Sequence, residues 1–137
     1  MKKVSKSSKK GFTLVELLVV IGIIGLLAAI ILPKFTGYTE KAIMKDAVSQ
    51  ARTVYTQASA YYAEKGAYPA SSTDLETEAK KALTDVTFNA NPATDGSFIT
   101  VYPNNSTTGD FTFVLRKGGK NYTVEYKNGA PQEKGVS

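Results

Sequence analysis

Residues 12–32 form an apolar run of 21 residues interrupted by one charge, Glu16. As an α-helix this run is about 31 Å long, which matches a hydrocarbon core of about 30 Å. It is long enough to cross a bilayer. Lys2, Lys3, Lys6, Lys9 and Lys10 precede it and a mixed-charge segment follows, an asymmetry that predicts a cytoplasmic amino terminus and an external remainder. The same five lysines account for the net charge of +5, because the chain from Phe12 onward carries 12 basic and 12 acidic side chains. The basicity belongs to a short tail, and no continuous basic and aromatic tract points to nucleic acid.

A conventional secretory signal has a shorter apolar core followed by a small-residue cleavage site. Here Ala28 and Ala29 are followed by more apolar chain, Ile30 to Leu32, and by no polar cleavage region. The polar-to-apolar junction falls instead at Gly11-Phe12. Cleavage there removes the basic tail and keeps the hydrophobic helix. The chain has no cysteine and no histidine, so disulfides, thiolate nucleophiles, Cys/His zinc sites and histidine acid-base chemistry are excluded together. No catalytic constellation is left, and no cofactor or metal is expected.

The run Lys9-Lys10-Gly11-Phe12-Thr13-Leu14-Val15-Glu16-Leu17-Leu18-Val19-Val20-Ile21 resembles the type IV pilin and pseudopilin family, most like a major pilin precursor with a class III leader. The resemblance implies that a prepilin peptidase cuts after Gly11 and methylates the new terminal amine of Phe12. It also implies that Glu16, five positions into the mature chain, is the assembly glutamate. The match is strong through about Pro33 and softer beyond.

A carboxylate inside a bilayer costs about 2.5 to 3.5 kcal/mol on insertion-based scales, so a lone Glu in such a segment points to function. Glu16 resting near the headgroups, close to a helix N-terminus, is the bland reading. The role implied by the resemblance is pairing with the Phe12 amine of a neighbouring subunit once the helix leaves lipid for a filament core. Thr13 either joins this polar patch or satisfies its hydroxyl on backbone oxygen. Gly22 and Gly25 weaken helix propensity by about 1 kcal/mol each relative to Ala, and Pro33 lacks an amide proton. In related filaments a section between a comparable glycine and proline unwinds, here Gly25 to Pro33. A continuous, gently kinked helix is the alternative.

Residues 34–65 are rich in Ala, Lys, Glu and Gln, with Ile43, Ala47, Ala51, Val54, Ala58 and Tyr61 or Tyr62 recurring every three or four positions. Joined to the apolar run, this predicts one helix of about 50 residues, far beyond the average of 11 to 12. Gly66 and Pro69 end it. Thr73 with Glu76 reads as a capping box for a short helix through about Leu83, with Leu75, Ala79, Ala82 and Leu83 inward. Asp74, Glu76, Glu78, Lys80 and Lys81 are expected on its solvated face.

Beyond that, Val86–Phe88, Ser97–Tyr102, Phe111–Arg116 and Tyr122–Lys127 read as strands, the last two joined by a turn at Lys117-Gly118-Gly119-Lys120. The expected fold is α+β, a long N-terminal helix with an apolar membrane or filament-core half and an amphipathic half, packed against a three- or four-stranded antiparallel sheet. Its divisions are a cleaved leader (1–11), the span and filament-core half (12–33), the amphipathic half (34–65) and the remaining headgroup (66–137). Asn91, Asp95, Asn104, Asn105 and Asp110 sit in turn-rich sequence and match no EF-hand. The sequons at Asn104, Asn105 and Asn121 are statistically cheap.

The resulting expectation is a structural subunit that polymerises into a type IV pilus for adhesion, surface motility or related contact. A pseudopilin of type II secretion or competence DNA uptake is the alternative, and a single-pass anchored binding module a third class. Expected partners are other copies of the chain, the peptidase/methyltransferase, the inner-membrane pilus assembly machinery, minor pilins, and membrane lipid before assembly. The expected location is the plasma membrane as a single-pass protein, then the extracellular pilus.

Overall fold

The computed structural model describes residues 11–88 and 97–137; residues 1–10 of the expected leader, and the turn residues Asn91 and Asp95, lie outside the described residues. Helix α1 (Leu14–Lys65) is a single α-helix of 52 residues with Pro33 inside it. Helix α2 (Ser72–Lys80) follows, then strands β1 (Phe98–Asn105), β2 (Asp110–Lys117), β3 (Lys120–Lys127) and β4 (Ala130–Val136). The chain divides into two compact units after Tyr38, within α1.

In the first unit the described residues through Tyr38 are exposed apart from half-buried Ala28. Leu14, Val15, Ile21 and Leu26 each expose more than half of their surface, as do Phe35 and Tyr38. An apolar helix surface of this extent is not a stable state in water and calls for lipid or neighbouring protein.

The second unit is built on the part of α1 from Thr39 onward. Met44, Ala47, Ala51, Val54 and Ala58 form its buried stripe. Three of the five are alanines, whose small side chains let large sheet residues approach the helix. The four strands pair antiparallel in the order β1-β2-β3-β4. Every second residue of the inner strands turns inward, so Phe111, Phe113, Leu115, Tyr122, Val124 and Tyr126 join Ile99 and Val101 in one core with the helix stripe. Full burial of a side chain such as Phe113 contributes about 1.5 to 3 kcal/mol, so this alternation is the main determinant of the sheet's inner face.

Several details differ from the sequence reading. Val86–Phe88 is not a strand: Phe88 makes only an isolated parallel bridge to Ile99. The fourth strand is β4, an exposed edge whose sequence lacks apolar alternation but follows a tight Asn128-Gly129 turn in which both residues have positive φ, 52° and 76°. Pro131 is tolerated there because an edge strand has one unpaired side. The N-cap of α2 is Ser71, whose backbone is extended and whose Oγ accepts the Asp74 amide at 3.1 Å. Thr73 lies within the first turn, so its carbonyl accepts the Thr77 hydroxyl instead. This helix stops at Lys80, and tighter bonds from Lys81 and Ala82 to Glu78 and Ala79 carry the chain out, leaving Ala82 exposed and Leu83 half-buried. Glu78, expected on the solvated face, is buried and held by Lys81 Nζ at 2.6 Å. On α1 the fully buried stripe starts at Met44, with Ile43 half-buried, and ends at Ala58; Tyr62 is exposed and stacks on Tyr68 with ring centres 4.7 Å apart.

Candidate assembly site on the amino-terminal helix

Glu16 stands in the first turn of α1, and its carboxylate is occupied locally. Thr13 donates its backbone N–H to Glu16 Oε2 at 3.1 Å, and Glu16 donates its N–H to Thr13 Oγ1 at 3.2 Å. The first helical bond runs from the Leu17 N–H to the Thr13 carbonyl at 3.2 Å. Thr13 and Glu16 are therefore a reciprocal capping box, which satisfies two of the amides that a helix start leaves without partners. Thr-x-x-Glu is the sequence signature of this arrangement, and it was legible at residues 13–16. Within one subunit, Glu16 is thus a capping residue, and its remaining acceptor capacity faces outward.

Phe12, 85 % exposed, lies just ahead of this cap. With Val15, Leu17, Val19 and Val20 it lines a shallow apolar groove that Glu16 borders. The site therefore juxtaposes one anionic group, the residue at the Gly11-Phe12 junction and a broad apolar surface. Gly22 and Gly25 are helical, and a methyl added at either would meet nothing within 4 Å inside the subunit. Nothing among the described residues needs their small size. The segment from Gly25 to Pro33 is helical throughout, and the Thr36 hydroxyl donates to the Pro33 carbonyl at 2.9 Å.

The polar residues of the headgroup serve its turns. Asp110 Oδ1 accepts the Asn128 N–H at 2.9 Å, tying the β1–β2 turn to the β3–β4 turn. Asn105 Oδ1 accepts the Thr107 N–H at 2.9 Å, and Asn104 pairs with the Thr112 hydroxyl at 2.9 Å. Gly118 and Gly119 take positive φ of 60° and 76° in the two-residue β2–β3 turn, a hairpin geometry rather than a phosphate loop. Among the described residues there is no group of three acidic, His or Cys side chains able to hold a metal ion.

The tyrosines near Tyr68 form a packed set. Tyr55 stacks on Tyr126 at 4.5 Å and Tyr126 on Phe111 at 5.2 Å. A hydrogen bond with Tyr55, then desolvation, pushes the Tyr68 phenol above its ordinary range, and burial does the same to Tyr126. Both stay neutral at physiological pH, as core side chains should.

Residues 6–32 match the family model described as the prokaryotic N-terminal methylation motif. The chain is 46% identical over 65 residues to the fimbrial protein EcpC of Eikenella corrodens, a match covering 47% of this chain and 42% of the relative. It is 40% identical over 65 residues to the type IV major pilin protein PilE1 of Neisseria gonorrhoeae, covering 47% and 39%. A longer match, 36% identical over 90 residues, reaches a fimbrial protein of Pseudomonas aeruginosa and covers 66% and 55%. The chain spans about two-fifths of the length of the first of these relatives. No solved structure matches the chain. With the methylation motif laid over the Gly11-Phe12 junction, the capped glutamate and the apolar helix, the amino-terminal part of the chain is similar to that of fimbrial proteins and type IV major pilins.

Proposed function

We propose that the chain is a structural subunit, a major pilin, that polymerises into a type IV pilus used for adhesion, surface motility or related contact. One observation carries the proposal: an apolar helix face exposed from Phe12 to Phe35, with a single carboxylate set into its first turn, attached to a folded α+β headgroup. Such a face is suited first to lipid and then to copies of itself, and a repeated head-to-tail contact that does not close gives an open filament.

In this reading a peptidase removes residues 1–11, and the new terminal amine of Phe12 is methylated. Residues 12–33 span the membrane with the amino terminus cytoplasmic, residues 34–65 continue as the headgroup helix, and residues 66–137 complete the headgroup. Glu16 exchanges part of its hydrogen bonding to Thr13 for the Phe12 amine of a neighbour. Gly22, Gly25 and Pro33 provide a section of α1 that bends or unwinds on packing. The assembly machinery and minor pilins act on this pool. The fimbrial and major-pilin names of the relatives favour a pilus over a secretion or DNA-uptake pseudopilin.

Immunolabelled electron microscopy of wild-type and gene-deleted cells tests the proposal, with filaments expected only in the former and decorated along their length. Terminal peptide mass spectrometry of those filaments should give Phe12 bearing one methyl group. A filament terminus at Met1, or downstream of Ala29, rejects the processing scheme.

A further inference from the structure

The neutral balance of the mature chain conceals a local asymmetry. Arg116-Lys117-Gly118-Gly119-Lys120 places three cations in five residues at the end of the β2–β3 hairpin. The turn is a two-residue loop of glycines, so only basic side chains stand out from it. Lys120 pairs with Glu40 on α1, and this contact raises the Lys120 pKa. It ties the hairpin end to the first residues of the second unit, next to exposed Lys41.

In sequence, Glu40 follows Leu32, the last residue of the apolar run, by eight positions. The Glu40 carboxylate is already used by Lys120, and among the described residues Lys41 and Lys117 take part in no ion pair. The opposite end of β2 is different: Asp110 holds the Asn128 amide there, and the neighbouring turn is Ser106-Thr107-Thr108. The turn end of the hairpin thus carries an excess of positive charge, whereas at its open end Lys127 is balanced by Asp110, and the turn end is the one bound to the helix residues that follow the apolar run in sequence.

We infer that this basic hairpin end, Lys41 with Arg116, Lys117 and Lys120, docks on the phosphate groups of anionic phospholipids while the subunit is held in the membrane. The inference rests on the membrane-held stage of the function proposed above. Charge complementarity selects the partner: an anionic bilayer surface attracts clustered Lys and Arg side chains, with attraction that fades within a Debye length and falls with salt. Docking holds the headgroup down, and leaving the membrane for a filament requires those contacts to be given up.

The test uses the mature chain, residues 12–137, in vesicles. Since the protein has no cysteine, a single Asn121→Cys substitution takes a fluorophore beside the turn, and Thr107→Cys provides a label in the β1–β2 turn at the opposite end of β2. Nitroxide carried on the lipid headgroups is expected to quench the label at position 121 more than that at 107 in vesicles containing phosphatidylglycerol. This difference is expected to collapse in pure phosphatidylcholine and on raising sodium chloride. The exposed double variant Lys41→Gln/Lys117→Gln should lower the docked-to-undocked ratio roughly thirtyfold while leaving insertion unchanged. Inorganic phosphate at matched ionic strength should act no more strongly than chloride, whereas specific competition by it would replace the lipid with a free-phosphate site. Inserted protein whose quenching ignores both lipid charge and the two lysines overturns the inference alone. Protein that enters neither kind of vesicle overturns the membrane-held reading beneath it as well.

Discussion

At the scale of single residues, Glu16 tests the proposed assembly role and Gly109 tests the fold. Among the described residues the Glu16 carboxylate bonds only to its own helix start, so Glu16→Ala removes a cap contact worth about 1 kcal/mol to α1 and none to the headgroup core. The expected outcome is normal processing, an unchanged headgroup melting transition and few surface filaments, read by comparing processed membrane-pool protein with filament number. Normal filaments built mainly of the variant would end the recruitment role. Gly109 has φ of 74°, and a Cβ there would lie 2.6 Å from the Tyr68 ring. Gly109→Ala combines left-handed strain with a clash against a packed aromatic, so it should destabilise the headgroup by on the order of 2 kcal/mol in a denaturant titration.

Among the elements, β4 is the one held least by burial. Its residues are exposed apart from half-buried Pro131, and it depends on pairing with β3, the Asn128-Gly129 turn and two ion pairs, Lys45–Glu133 and Lys134–Glu125. Lys134 holds the Glu125 carboxyl below its ordinary range. A group whose folded pKa is lowered contributes stability above its unfolded value, about 4.3 for Glu, and that contribution is lost as pH falls through the folded pKa. Amide protection of residues 130–136, corrected for intrinsic exchange, should therefore weaken on acidification below about pH 4 before that of β2 and β3 does. Glu125→Gln should remove part of this pH dependence, and an equal response of all four strands would contradict the assignment. Asn128→Val forces a β-branched residue into positive φ and should loosen the same strand at neutral pH.

For the whole molecule, the two units have opposite solvent requirements. The first exposes apolar surface around the helix, whereas the second closes a core between α1 from Met44 onward and the sheet. Removing residues 1–34 should accordingly leave a soluble α+β headgroup whose Phe111–Arg116 and Tyr122–Lys127 amides are protected from exchange. An unprotected hairpin in an otherwise folded truncation would defeat that expectation. If the hairpin end rests on anionic lipid, the full mature chain in bilayers should also protect the Lys117–Lys120 turn more than the free headgroup does.

Residue order alone determined the features that depend on neighbours in the chain: the apolar run, the Gly11-Phe12 junction, the amphipathic stripe and the β2–β3 hairpin. Each is a matter of local period or of turn chemistry, readable over a few residues. The Thr13–Glu16 box and the Asn128-Gly129 turn carried equally local signals. Tertiary structure decided what depends on distant partners. Whether Glu78 is solvated or buried depends on the packing around α2, and Phe88 forms a single bridge because its partner Ile99 comes from the beginning of β1. Likewise β4 is a strand without apolar alternation, because an edge draws its order from hydrogen bonds to β3 rather than from burying side chains, and such bonds leave no periodic mark in a sequence.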